Sequence, residues 1–149
     1  MTNVPAAPDA PELPDTPSKD LLAIGLGALA TGVGLGGAAM TVAQGVVSVL
    51  RDRVDPVYWR YVGDDPLWTG VGAGIALGAF FGWVRSHGID NIWQRGVIAI
   101  LAAVGALMIG FLAALAHGLG GVVGLSIWGC ASLALGILGS RWAVRGAGA

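Results

Sequence analysis

From Leu21 to Leu50 the chain runs thirty residues without a formal charge. As a helix rising 1.5 Å per residue this run would extend ~45 Å, more than the ~30 Å hydrocarbon core of a bilayer requires. Three further uncharged runs follow, over about 67–84, 96–116 and 122–142, broken only by Arg141 at the edge of the last. Hydrophobic residues make up 55% of the chain and charged residues 11%. An ordinary soluble domain carries roughly 25% charged residues. The expected fold class is therefore an all-α integral membrane protein with four transmembrane helices, spans 21–50, 67–84, 96–116 and 122–142 making one domain over 20–145.

The second run carries the most regular pattern. Gly70, Gly74, Gly78 and Gly82 recur every fourth residue. A four-residue step on a helix drifts by only about 40°, so these glycines share one shallow groove. In water each would cost a helix up to ~1 kcal/mol relative to alanine. In lipid the backbone must satisfy its own hydrogen bonds, which favours helix despite the glycine. The groove then admits a neighbouring backbone, the means by which helices associate where lipid is as apolar as leucine.

Small residues recur at the same spacing elsewhere. The first span has Ala28, Gly32 and Gly36 on one line and Ala30, Gly34 and Ala38 on another, so it can pack on two sides. The third has Ala102, Ala106, Gly110 and Ala114, and the fourth has Ser132, Gly136 and Ser140. Gly70, Gly74, Gly78, Gly82, Gly32, Gly36, Ala106, Gly110, Ser132 and Gly136 are the expected helix-packing residues.

Between the spans the punctuation is local. Residues 1–19 hold Pro5, Pro8, Pro11, Pro14 and Pro17 at three-residue spacing, with Asp9, Glu12 and Asp15 between. Three residues per turn is the polyproline II repeat, so this flexible arm is either a solvated acidic tail or a strap for an aromatic groove on a partner. Thr16-Pro17 suits a helix N-cap followed by proline at the first helical position. Gln44 and Ser48 suggest that the last turns of the first span emerge from the lipid. Residues 51–66 form the one substantial loop. Arg51, Arg53, Tyr58, Trp59, Arg60 and Trp68 are its expected interfacial contacts, with the aromatic side chains at headgroup depth. Asp55-Pro56 and Asp65-Pro66 each read as a cap followed by proline. Gly88 fits a left-handed residue ending the second helix. Asp90 or Asn91 caps the third, with Gln94 at capping-box spacing from Asn91. His117 to Gly121 reads as a tight hairpin. Trp128 lies near mid-membrane, as a packing residue.

Four spans place both termini on one side with the 85–95 turn. That side holds Lys19, Arg85, Arg95, Arg141 and Arg145, against Arg51, Arg53 and Arg60 on the other. The positive-inside rule then makes the termini cytoplasmic, in an inner membrane of bacterial type.

Little in the chain points to chemistry. Ionisable residues within spans mark proton relays and ion pathways, and here the spans hold none away from Arg141. Thr31, Thr41, Gln44, Ser48, Thr69, Ser126 and Ser132 are the groups able to line a passive pore. His87 and His117 fall at opposite membrane faces and cannot share a metal. No Ser/His/Asp or Cys/His set is placed as nucleophile and base. Cys130 is the single cysteine, and a net charge of -1 argues against nucleic acid as a partner. The expectation is a non-catalytic structural or accessory subunit, without metal or cofactor, whose small-residue lines exceed what four helices can use internally. Its partners would be other membrane subunits or itself, within the lipid bilayer. The alternative is a small oligomeric channel or holin-like permeation protein.

Overall fold

The computed structural model describes residues 19–58 and 65–148. The described residues are mostly helical, with no strand among them, and form three long helices: α1 (Leu21–Arg53), α2 (Asp65–Arg85) and α3 (Ile92–Gly146). All three are long and apolar enough to cross a membrane.

Local chemistry accounts for the helix ends. The carboxylate of Asp20 accepts from the amides of Leu22 (3.1 Å) and Ala23 (3.0 Å), two donors that a first turn leaves free. Asp20 is thus the cap of α1; Thr16 and Pro17, which carry the same signature, lie outside the described residues. At its other end α1 continues past the expected Leu50 to Arg53. Arg51 and Arg53 are therefore in its last turn, where positive charge complements the helix dipole. Extended Val54 ends the helix. Next, Asp55 precedes a proline and is biased away from helical geometry. Its carboxylate accepts from the amide of Val57 (2.8 Å), and residues 56–58 are helical. Asn91 caps α3 by accepting from the amide of Trp93 (2.9 Å).

Two expectations about turns change places. Gly88 does not have positive φ; among the described residues only Gly121 and Gly148 do. The 86–89 turn closes instead through short-range bonds, His87 amide to Val84 carbonyl (3.3 Å) and Ile89 amide to Ser86 carbonyl (2.9 Å). Glycine at 88 serves proximity: a Cβ there would lie 2.9 Å from Cδ1 of Ile24. The position that needs glycine's backbone freedom is Gly121, at φ 56° and ψ -141° inside α3.

Gly121 breaks α3 into arms of residues 92–120 and 122–146. The indole Nε1 of Trp128 donates to the carbonyl of Ile109 at 3.0 Å. Nineteen residues along a straight helix would put these groups about 28 Å apart. The chain therefore turns back at Gly121, and the arms lie side by side. The hairpin is tighter than the expected five-residue turn, because helix runs up to Gly120 and one residue makes the break.

Helix α1 is the centre. One of its faces, with Ala28, Gly32 and Gly36 buried, meets α2 and the first arm of α3. Another, with Gly27 and Gly34 buried, meets the second arm. Lys19 and Asp20 at the start of α1, Arg85 at the end of α2 and Gly146 at the end of α3 gather at one end of the bundle, where the amide of Asp20 donates to the carbonyl of Gly146 (3.0 Å). Arg51, Leu67, His117 and Gly121 gather at the other.

Candidate helix-packing interface

Along α2 the four glycines face this chain's own helices. A Cβ on Gly70 would collide with the Cβ of Ala43, and one on Gly74 with the Cγ of Met40. On Gly78 it would lie 3.0 Å from the Ala106 Cβ and 3.3 Å from the Gly32 carbonyl oxygen; on Gly82, 2.8 Å from the Ala102 Cβ. The reciprocal positions on α1 are as tight. A Cβ on Gly32 would fall 2.6 Å from the Ala102 Cβ, and one on Gly36 2.7 Å from the Ala106 Cβ. Three backbones meet along one line, with Ala102 and Ala106 fully buried between the glycines. Carbon atoms attract best at ≈ 3.5–4.0 Å, so only missing side chains allow this approach.

Gly110 continues the line in a different way. Met40, 1% exposed, reaches across from α1 and occupies the hollow over both Gly74 and Gly110. An unbranched thioether fills such an irregular gap without a strained rotamer. Beyond Gly110 the buried position is Ala113, and Ala114 is exposed. A strict four-residue line drifts by about 40° per step. A three-residue step brings the face back.

The second arm of α3 shows that correction. From Ser132 onward its buried positions, Ser132, Gly136, Gly139, Ala143 and Gly146, alternate four- and three-residue steps. Ser132 donates to the Trp128 carbonyl (2.9 Å). A Cβ on Gly136 would lie 3.1 Å from the Leu35 amide nitrogen, and one on Gly139 2.6 Å from that of Thr31. Gly139 with its counterpart Gly27, and Gly136 with Gly34, are the close contacts of this seam, and Ser140 is only part-buried. Four-residue spacing alone selects Ser140; the alternating step of the buried face selects Gly139.

Gln44 departs from the expectation of an emerging last turn. Its Nε2 donates to the Gly110 carbonyl at 2.8 Å, tying α1 to α3, while its Oε1 is buried without a partner. Four more of the hydroxyls weighed as pore lining bond along their own helices: Thr31 to the Gly27 carbonyl (2.7 Å), Thr41 to Gly37 (2.8 Å), Ser48 to Gly45 (3.3 Å) and Ser126 to Val122 (2.9 Å).

Of the interfacial residues, Arg51, Arg53, Tyr58 and Trp68 are exposed, and Trp59 and Arg60 lie outside the described residues. At the opposite end the Arg95 guanidinium sits 4.6 Å from the centre of the Trp83 ring and reaches the Trp83 carbonyl (3.4 Å), a cation–π pair with no local sequence signal. His87 and His117 stand at opposite ends of the bundle, His87 after α2 and His117 near its start.

What these contacts leave uncovered is outward. A groove of ≈ 490 Å³ opens between α1 and the second arm of α3, with Ala38, Ala39, Gly45 and Gly129 among its lining residues and Leu125 and Leu133 on its flank. A Cβ on Gly45 would meet nothing within 4 Å. The chain matches no protein-family model, no curated protein and no solved structure.

Proposed function

We propose that the two arms of α3 are separate membrane spans, so that the chain crosses four times, and that the protein is a non-catalytic structural subunit. It joins a larger membrane complex, or further copies of itself, through the groove between α1 and the second arm of α3. That groove carries the reading. It is apolar, floored by small residues, and open where the other small-residue lines are closed against this chain's own helices. Such a hollow takes the ridge of a neighbouring helix by the packing that drives association in lipid. Both termini then share a membrane face with Arg85 and Arg95, and the excess of Lys and Arg on that face makes it cytoplasmic, in an inner membrane of bacterial type.

Gly45→Leu tests the interface without touching the internal packing, because none of the described residues lies within 4 Å of the new Cβ. Wild type and variant are solubilised gently from the native membrane, purified by affinity and compared by native gel and mass spectrometry. The wild type is expected to carry stoichiometric companions or further copies, and the variant to lose them with its thermal midpoint unchanged. Identical migration and companions in both would refute the groove as the interface. A homogeneous homo-oligomer that releases a small solute from liposomes would favour a pore instead.

A further inference from the structure

Among the described residues, the end of the bundle where α1 begins and α3 ends carries more positive than negative side chains. Lys19, Arg85, Arg95, Arg141 and Arg145 lie there among the described residues, against Asp20 and Asp90. Both carboxylates are already engaged. Asp20 caps α1, and Asp90 lies 3.9 Å from the Lys19 ammonium, the one ion pair among the described residues. Arg95 is held over Trp83. Arg85 and Arg141 have no such partner among the described residues, and the two line the same cavity of ≈ 290 Å³.

That cavity has a polar rim and an apolar shaft. Arg85 at the end of α2 and Ser140 and Arg141 on the second arm of α3 form the rim; Phe81, Leu35 and Ile137 line the shaft. Phe81 precedes Arg85 by four residues and Ile137 precedes Arg141 by four, so the shaft reaches about 6 Å below the arginines on both helices. Thr31, level with Gly139 and one turn above Leu35, has its only donor committed to the Gly27 carbonyl (2.7 Å) and offers none to a phosphate. Arginines near a helix C-terminus also complement its dipole, but that role requires neither a shared cavity nor an apolar shaft.

We propose that this cavity binds an anionic phospholipid, its phosphate held by Arg85 and Arg141 with the Ser140 hydroxyl as a further donor, and an acyl chain along Phe81, Leu35 and Ile137. A planar guanidinium offers paired donors to phosphate oxygens, and basic pockets between spans suit anionic headgroups. Free phosphate would satisfy the rim and leave the shaft empty; a lipid fills both. A zwitterionic lipid brings its own cation to a site already positive. The inference rests on membrane location alone and is independent of the assembly proposed above.

Native mass spectrometry of the full chain in a neutral detergent tests it, since one spectrum resolves bound lipid separately from oligomeric state. Phosphatidylglycerol and phosphatidylcholine are added in parallel. One phosphatidylglycerol per chain is expected, retained about tenfold better than phosphatidylcholine. Arg85→Gln/Arg141→Gln should abolish the difference, and Arg51→Gln/Arg53→Gln at the opposite end should leave it intact. Equal retention of the two lipids by the wild type would overturn the proposal, without need of any variant. So would unchanged preference in Arg85→Gln/Arg141→Gln. Displacement of phosphatidylglycerol by millimolar inorganic phosphate would reassign the rim to a soluble anion.

Discussion

Replacing Gly32 with alanine is the sharpest test of the packing. The added methyl would lie 2.6 Å from the Ala102 Cβ and 3.0 Å from the Gly82 amide nitrogen, and against the Gly78 carbonyl oxygen. Favourable carbon contacts begin near 3.5 Å, so the deficit is about 1 Å. None of these obstacles can rotate away, since each is backbone or a Cβ. Relief requires α1 to withdraw from α2 and from α3 together. Overpacking of this kind costs about 1–3 kcal/mol. The gain in helix propensity, at most ~1 kcal/mol, offsets part of it. With the full offset the net loss reaches about 2 kcal/mol, roughly a 30-fold fall in the folded-to-unfolded ratio, and Gly45→Ala, which gains the same propensity, shows no such loss. Unfolding by dodecyl sulfate in mixed micelles, followed by tryptophan fluorescence, measures it. The control is Gly45→Ala, where a methyl meets nothing within 4 Å. If Gly32→Ala unfolds at the same detergent fraction as Gly45→Ala, the three backbones do not meet at this line, and the close-packing account fails.

Two further substitutions probe single features. Gly121→Ala forces a side chain into φ 56°, ψ -141°; with open space around it, the cost is backbone strain alone, about 1–3 kcal/mol, read in the same unfolding assay, and an unaltered midpoint would show that the turn relaxes freely. Gln44→Leu removes one hydrogen bond to Gly110 but also an unpartnered buried Oε1. Bonds of this kind within membranes average ≈ 0.6 kcal/mol, so stability should stay within about 1 kcal/mol of wild type, and a larger loss would mean that Oε1 has a partner in the membrane.

Much of the fold is legible in the text because lipid makes helix formation a local matter. A long uncharged run must satisfy its own backbone bonds, which is why Leu21 onward, the Gly70 to Gly82 run and the stretches on either side of Gly121 are helical whatever they touch. Asp55 and Asn91 cap where side-chain chemistry alone says a chain of this kind should start a turn. That α1 offers two small-residue faces is likewise written in Ala28, Gly32 and Gly36 beside Gly34.

Which small residue becomes the contact was decided in three dimensions. A helical face is a direction, and the direction that matters depends on how neighbouring helices cross, so Ala113 rather than Ala114 and Gly139 rather than Ser140 are buried. Gly88 and Gly121 both follow the end of an apolar run, and the sequence marks each as a turn. Ile24 presses on the first, and the antiparallel arms of α3 require the positive φ of the second. Gln44 reads as a surface residue until Gly110, 66 positions away, is brought beside it. The unmatched guanidinium groups of Arg85 and Arg141 become neighbours only because α2 and the second arm of α3 end at the same face of the bundle. Hydrogen bonding along one segment is a property of that segment, whereas rotation and proximity between segments belong to the whole chain.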